Sequence, residues 1–402
     1  MMAEIVNISK NLIGGGVLSL SGGIAMYADN ARAVVSAAFW TALMGIIFGY
    51  YCFLVARVSQ MTHAATYREM WAETVGEAGA IAVPMANMLK AGLGNLAYST
   101  ILSQTLKSLL QTVDISLSRV ACLFLVTIVG VLPLCLLKNL NVLAPFSVLG
   151  TSGILFTAFA MGYRYWDGSY VPGGQFYEDN VPELRASFGD RNQSFTLGVL
   201  PLVCMLYEAF VMHYNSARFY TELKNASLPR FAIAVSSAFG FSSVVYIAIA
   251  CLGFLTFGGN SAPYILNNYS PYDPLATLSR LAVFISTLTT YPIVFIGCRD
   301  GMLDMLDVPP ERQTSGNLNM LTVIMLAVLT FIAIFVTDLG FINAVGGGSL
   351  ATIIVFVVPT IMWWVLAQEP RGKDEIKDLP LALGLCVCGI FLGVVGVVIE
   401  LS

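Results

Sequence analysis

The chain has 402 residues, of which 57% are hydrophobic and 11% charged. Soluble domains carry about 25% charged residues because their surfaces face water, so this composition excludes a soluble protein and indicates a surface that faces lipid. The net charge of -4, from 20 basic and 24 acidic side chains, excludes a basic field that binds nucleic acid. We expect one membrane domain, because crossings of about 20 apolar residues each account for this length.

Apolar runs between polar breaks predict eleven membrane-spanning helices. Numbered span 1 to span 11, they cover residues 6–27, 34–56, 81–110, 119–137, 141–163, 195–220, 232–257, 274–297, 320–337, 340–366 and 380–400. Helices are expected because lipid offers the backbone no hydrogen bonds, and the loops are too irregular for the alternating strands of a barrel. The predicted fold class is therefore an all-α integral membrane protein.

Basic side chains predict the orientation of these spans. With a cytoplasmic N-terminus, ten fall in inner loops: Arg57, Arg68, Lys138, Lys224, Arg230, Arg299, Arg312, Arg371, Lys373 and Lys377. Five fall in outer loops: Arg32, Arg119, Arg164, Arg185 and Arg191. This twofold bias favours a cytoplasmic N-terminus, and it fits a plasma membrane and a vacuolar or lysosomal membrane equally well. The glycosylation acceptor patterns at Asn192 and Asn268 then fall in outer or luminal loops.

The longest connection, residues 164–194, separates five spans from the next five. An odd number of spans makes the second group enter the membrane from the opposite side, which is the arrangement of an inverted repeat. We therefore predict a first repeat over 6–163, an outer loop over 164–194, a second repeat over 195–366 and an extra helix over 380–400.

Span 1 contains Gly14, Gly15 and Gly16 in succession, and each glycine costs a helix about 1 kcal/mol relative to alanine. Inverted-repeat transporters bind their substrates near the midplane, where such a helix is interrupted. Unwinding would place the amides of Gly14 to Val17 at the positive end of a half-helix, which suits a carboxylate. The alternative is close packing of small residues against another helix.

Span 6 carries Glu208 and His213 in mid-span, where ionisable groups are energetically expensive. A buried carboxylate either finds a partner or becomes neutral, so Glu208 is a candidate proton carrier or a ligand for a substrate amine. The alternative for Glu208 is a protonated side chain bonded to a neighbouring helix. The alternative for His213 is a satisfied polar group where the helix bends.

Two further spans carry candidate residues. Span 8 places Thr289 and Thr290 in a cluster of hydroxyls ahead of Pro292, and hydroxyls with a freed carbonyl can ligate a cation. Threonine in a membrane helix also bonds its own preceding turn, which is the alternative. In span 10 the glycine triplet 346–348 favours close packing over binding.

Other chemistry is not predicted. A nucleophile, a base and metal ligands do not cluster in sequence around the two histidines, so we do not expect an enzyme. The eight cysteines lie in or beside apolar runs, without the spacing of a disulfide framework or a metal site. We expect no cofactor beyond a coupling ion, which is H⁺ or alternatively Na⁺.

The sequence resembles the amino acid/auxin permease family, which includes sodium-coupled neutral amino acid transporters and vacuolar amino acid transporters. Three segments carry the resemblance: Asn11 to Leu20 in span 1, Phe210 to Leu223 in span 6, and Gly253 to Gly258 in span 7. It covers about the whole chain. The resemblance implies a LeuT-type fold with a 5+5 inverted repeat, discontinuous helices 1 and 6, and amino acid transport driven by protons or sodium.

The resemblance also implies roles for individual residues. The amides of Gly14, Gly15 and Gly16 match the segment that holds the substrate carboxylate. The matching carbonyls for the substrate amino group belong to Tyr207, Glu208, Ala209 and Phe210.

Lys10 and Asn11 are candidate residues for ion coupling. Lys10 stands where sodium-coupled members commonly have asparagine, and a fixed ammonium there would repel or replace Na⁺. This difference favours proton coupling, with Lys10 and Glu208 as the candidate charges. Polar Asn11 is a candidate lining residue of the same cavity, and snorkelling of Lys10 to the interface is the alternative.

We predict a secondary transporter that moves amino acids, neutral ones in the first place, by alternating access with proton coupling. The close alternative is a sodium symporter, in which Thr289 and Thr290 would converge with carbonyls of span 1. An amino acid sensor that signals through a partner protein is the alternative from another class. The expected partners are an amino acid and the lipid bilayer.

Overall fold

The computed structural model describes residues 2–402 apart from 78, 80, 138–143, 307 and 370–375. The described residues form helices and connections without a strand, and they contain two isolated β-bridges, Ala28 with Asn192 and Ser187 with Gly258. The predicted all-α fold class is confirmed. Three residues used to predict the orientation lie outside the described residues: Lys138, Arg371 and Lys373.

Most spans are continuous helices. Spans 2, 3, 5, 7, 8, 9 and 11 are Ala33–Thr62, Ala82–Gln111, Ala144–Asp167, Leu228–Phe257, Pro274–Met305, Ser315–Phe335 and Leu379–Leu401. Seven helical segments of the described chain are long and apolar enough to cross a membrane. Span 3 is more polar than these because Lys90, Asn95 and Ser99 are buried against other helices instead of facing lipid.

Four spans are interrupted. Span 1 consists of Met2–Leu12, Gly15–Ser19 and Leu20–Tyr27, and span 6 consists of Leu197–Val199, Leu200–Phe210, His213–Asn215 and Ser216–Glu222. Span 4 consists of Arg119–Leu125, Val126–Val131 and Leu132–Cys135. Span 10 consists of Leu339–Gly346, Gly347–Ala351, Ile353–Val357 and Val358–Leu366, and its two middle segments are π-helical. Such irregular turns are common at functional sites of membrane helices.

Two hydrophobic clusters hold the helices together. The larger one joins spans 1, 2, 6, 7, 10 and 11 and includes the fully buried side chains of Phe48, Phe210 and Trp363. The smaller one joins spans 3, 4, 8 and 9 around Tyr291 and Phe295. Span 3 also contributes to the larger cluster.

An ion pair fixes the outer loop to the helices. Arg164, in the last turn of span 5, donates two hydrogen bonds to the carboxylate of Asp273, at 2.9 and 2.7 Å. Asp273 is fully buried, accepts a bond from the Tyr170 hydroxyl and accepts another from the Leu275 amide in the first turn of span 8. Burial and the nearby Asp273 carboxylate raise the pKa of Tyr170, so its hydroxyl keeps the proton that it donates.

Replacing Asp273 with alanine is expected to lower the free energy of unfolding by at most about 3–5 kcal/mol, because the Arg164 guanidinium would lose its buried partner and keep only its pair with Asp167. Thermal unfolding of the purified protein measures this loss. Glu222→Ala is the matched control, since Glu222 forms an exposed pair with Arg218 that contributes about 0.5 kcal/mol or less. Equal melting temperatures for the two variants would contradict a stabilising role of the buried pair.

Candidate functional site

The first half of span 1 ends at the predicted glycines. The helix ends at Leu12, and Gly14 is extended, with φ -122° and ψ 176°. A new helical turn begins at Gly15, and the Val17 amide donates to the Gly14 carbonyl at 3.3 Å. Amides at the start of a helix lack intrahelical acceptors, so those of Gly14, Gly15 and Gly16 are the ones left to face a ligand.

Span 6 is interrupted a little later than the resemblance implied. The helix continues to Phe210, and the chain leaves helical geometry at Val211 and Met212. Residues Tyr207 to Phe210 therefore form the last turn before the break, where carbonyls lack intrahelical donors. The side chain of Tyr207 points toward span 11, since its hydroxyl donates to the carbonyl of Gly389 at 3.4 Å.

Tyr246, in the middle of span 7, connects the two breaks. Its fully buried hydroxyl lies 2.7 Å from the carbonyl of Leu12 and 2.9 Å from the carbonyl of Ala209. A hydroxyl carries one proton, so the two carbonyls share one donor. The interrupted ends of spans 1 and 6 are therefore brought to one place in the membrane domain.

Side chains from three further spans surround the glycine segment. The Tyr98 hydroxyl of span 3 lies 3.9 Å from the position of a Cβ on Gly14. The Thr287 hydroxyl of span 8 lies 3.5 Å from the corresponding position on Gly15. The side-chain amide of Asn343 in span 10 donates to the Gly16 carbonyl at 3.3 Å and also donates to the Ser19 hydroxyl.

Glu208 forms an ion pair with a lysine that the sequence analysis did not select. Its Oε1 lies 2.6 Å from Nζ of Lys90 in span 3, and the two side chains are 13% and 11% exposed. Lys90 was not among the predicted site residues. The rule that drew attention to Glu208, that ionisable groups in mid-span are expensive, applies to Lys90 as well.

The other predicted ion-coupling residues lie apart from this pair. Lys10 is half-buried and Asn11 is exposed, at the end of the first half of span 1. The hydroxyl of Thr289 donates to its own helix at Ile285 and Ser286, and that of Thr290 donates to Ser286. The hydroxyl of span 8 that faces span 1 belongs to Thr287 instead.

His213 follows the break in span 6 and is fully buried. Its Nε2 lies 2.9 Å from the carbonyl of Phe48 in span 2, which can only accept a hydrogen bond. His213 is therefore a buried polar group with a hydrogen-bond partner, as in the alternative given for it above. The described residues contain no group of three or more His, Cys, Asp and Glu side chains that could hold a metal ion.

The site is covered on one side. The second half of span 1 is buried, and a Cβ on Gly22 would lie 2.8 Å from the Ala262 carbonyl in the connection between spans 7 and 8. Asn268 of the same connection is fully buried and bonded to Leu184, so the predicted glycosylation acceptor is enclosed. At the end of the first half of span 1, Gly14 is half-buried.

The arrangement suits a zwitterion. Free amides at the start of a half-helix attract a carboxylate, and free carbonyls at the end of another attract an ammonium. The first set is offered by span 1 and the second by span 6, on either side of the Tyr246 hydroxyl. Both sets are backbone groups, and they are complementary to the groups that all α-amino acids share.

Comparison with known proteins agrees with this geometry. The sequence profile of the family described as "Transmembrane amino acid transporter protein" matches residues 1–401. The chain belongs to this family. The resemblance to amino acid transporters is thereby confirmed, and this transmembrane amino acid transporter is a multi-pass membrane protein and not an enzyme.

Individual relatives of the transporter are distant. The chain is 22% identical to sodium-coupled neutral amino acid transporter 11 of Bos taurus over 409 residues, covering 98% of this chain and 82% of the relative. The protein of the same name in Danio rerio is 23% identical, with 98% and 84% covered. The Homo sapiens protein is 23% identical, with 85% and 83% covered.

Solved structures identify the fold of the transporter. The crystal structure of MhsT in complex with L-phenylalanine is similar with a TM-score of 0.58 at 9% identity, covering 100% of this chain and 98% of that one. The inward-facing conformation of Mhp1 has a TM-score of 0.57 at 13% identity, covering 99% and 88%. Both are LeuT-fold transporters, so the predicted LeuT-type 5+5 fold with discontinuous helices 1 and 6 is confirmed.

Proposed function

We propose that this transporter moves neutral amino acids across its membrane by alternating access, coupled to protons. One observation carries the proposal: the interrupted ends of spans 1 and 6 meet at the Tyr246 hydroxyl, and the last turn of span 6 before the break also contains the buried Glu208. Broken helices of this kind hold substrate near the midplane in inverted-repeat transporters. A carboxylate next to the substrate is a place where a proton can bind and be carried.

The substrate carboxylate is assigned to the amides of Gly14, Gly15 and Gly16. The ammonium is assigned to the carbonyls of the last turn before the break in span 6, residues 207–210. Among the described residues, the ion pair at the break in span 6 is Lys90–Glu208, and this pair has no net charge. A charged substrate side chain would lack a free counterion there, so neutral amino acids fit best.

Coupling to protons is supported by the ionisable groups near the breaks. The hydroxyls of Thr289 and Thr290 are bonded within their own helix, and Lys10 places a cation at the end of the first half of span 1. The charge of Lys10 disfavours a sodium ion between spans 1 and 8. Sodium coupling is the second candidate, because the relatives carry the name sodium-coupled neutral amino acid transporter.

The proposal includes an orientation and a division of the chain. We place the N-terminus in the cytoplasm, as the distribution of basic residues indicates. In this orientation the first half of span 1 lies toward the cytoplasm and the outer loop covers the opposite side of the site. The first repeat is assigned to 6–163 and the second to 195–366, with the helix over 380–400 outside both.

Uptake into proteoliposomes tests the proposal. Radiolabelled neutral amino acids are supplied with a pH gradient alone, with a sodium gradient alone, and with neither. Accumulation with the pH gradient alone is the expected result. Accumulation that requires sodium would show that the coupling ion is Na⁺ instead of H⁺. Binding without transport under either gradient would indicate an amino acid sensor.

Glu208→Gln is expected to abolish accumulation driven by a pH gradient while exchange of internal for external amino acid is still detected. Glutamine keeps the shape of the side chain but cannot take up a proton. The ratio of accumulation to exchange is the measured quantity. Glu222→Gln, at the exposed end of the same span, is the control with an unchanged ratio. Undiminished pH-driven accumulation in Glu208→Gln would exclude Glu208 as the proton carrier.

A further inference from the structure

The Lys90–Glu208 ion pair connects the two halves of the transporter. Lys90 belongs to span 3 of the first repeat, and Glu208 belongs to span 6 of the second. Alternating access moves one repeat or bundle against the other around the substrate site. A bond that joins span 3 to span 6 is therefore formed or broken in the step that changes the side of access.

The two charges depend on each other. Both side chains are nearly nine-tenths buried, and the Nζ–Oε1 distance is 2.6 Å. The second carboxylate oxygen, Oε2, is buried and has no hydrogen-bond partner among the described residues. Separating the charges in these surroundings would leave an ammonium and a carboxylate without compensation, which costs far more than in water.

The surroundings of Glu208 provide no substitute for Lys90. Tyr98 of span 3 and Tyr214 of span 6 lie within electrostatic range of the carboxylate, and both are neutral phenols. Span 10 presents Gly346, on which a Cβ would lie 3.1 Å from Oε2, and residues 339–366 contain no ionisable side chain. A proton on the carboxylate is the remaining way to remove its charge.

We propose that the Lys90–Glu208 pair is a charge lock that keeps the empty carrier from changing its side of access, and that Lys90 is the positioning residue of this lock. The inference rests on the proposed function. Hydronium from the side of higher proton concentration transfers its proton to Glu208 and leaves as water. Glu208 becomes a neutral acid, Lys90 stays an ammonium, and the bond between them weakens. After the change of access the proton returns to water on the other side and the lock re-forms.

The lock predicts a specific ratio of fluxes. Exchange requires only the loaded carrier to change access, whereas net efflux also requires the empty carrier to return. In the wild type the ratio of net efflux to exchange is expected to be low at alkaline pH and to rise on acidification, because protonation of Glu208 opens the lock. A residue with only a structural role would change both fluxes together and leave this pH profile in place.

The experiment measures both fluxes in proteoliposomes loaded with a radiolabelled neutral amino acid, from acidic to alkaline pH. Lys90→Met is expected to raise the ratio at alkaline pH at least tenfold and to remove its pH dependence. Lys90→Arg retains a cation and is expected to keep the wild-type profile. Lys107→Met is the matched control, because it removes an exposed lysine from the same helix.

A double variant covers the case in which Lys90→Met does not fold. Lys90→Met with Glu208→Gln leaves no unpaired buried charge, and it is expected to show the same high, pH-independent ratio. A low ratio with the wild-type pH profile in either variant would overturn the lock. Wild-type protein that exchanges amino acid with a pH-independent ratio would also overturn it, while transport itself would stand. Absence of exchange in the wild type would overturn the proposed function, and the lock with it.

Discussion

Replacing Gly347 with alanine is expected to remove transport and most of the folded protein. Gly347 lies where span 10 packs against span 6, and a Cβ there would overlap the carbonyl oxygen of Cys204 and lie 2.9 Å from the amide nitrogen of Glu208. These are backbone atoms, so no side chain can turn away to make room. Added atoms in a packed interior lower the free energy of unfolding by about 1–3 kcal/mol. For an overlap with backbone atoms we expect a loss at the upper end of this range or beyond it.

Alanine at position 347 would also displace Glu208, because the contact falls on the last helical turn before the break. We therefore expect a lower melting temperature and a loss of uptake in whatever protein remains folded. The fraction of monodisperse protein and the uptake per folded molecule are the measurements. Gly297→Ala in span 8 is the matched control, since a Cβ at Gly297 meets no atom within 4 Å and alanine favours a helix by about 1 kcal/mol. Wild-type uptake in Gly347→Ala would contradict the close approach of the two spans.

The break in span 1 was predictable because its cause is local. Successive glycines weaken a helix wherever they occur, and the break in span 1 falls at Gly14 as the sequence predicts. The glycines of span 10 were expected to serve close packing, and the contact of Gly347 with Cys204 agrees with that interpretation. The position of the break in span 6 depends on Val211 and Met212, which no local rule distinguishes from helical residues.

The walls of the site were not predictable because they depend on how the helices are rotated and paired. Thr287, Thr289 and Thr290 are the same residue type in one helix. Only the first lies against the glycine segment, while the hydroxyls of the other two donate to their own helix. The partner of Glu208 comes from a span of the other repeat. A single sequence carries no information on which helices meet across the repeats. The predicted charges were Lys10 and Glu208, and the observed partner of Glu208 is Lys90.

Tyr246→Phe is expected to reduce uptake about tenfold to a hundredfold while the protein stays folded. The phenylalanine ring preserves the packing of span 7 against Phe210, whose ring centroid lies 4.8 Å from that of Tyr246. The lost hydroxyl is the donor shared by the carbonyls of Leu12 and Ala209 at the two breaks. A buried carbonyl without a donor costs about 1–3 kcal/mol, which corresponds to this range in an equilibrium constant.

The Tyr246 hydroxyl holds the interrupted ends together, so its loss should affect substrate affinity more than thermal stability. The effect follows because each free carbonyl can turn toward water when the site is open, and substrate must then restore the geometry that the hydroxyl maintains. Binding of a neutral amino acid and thermal unfolding, measured on the same purified sample, separate the two effects. Tyr165→Phe removes an exposed hydroxyl and serves as the control. A melting temperature that falls while affinity is unchanged would show that Tyr246 stabilises the fold and takes no part in shaping the site.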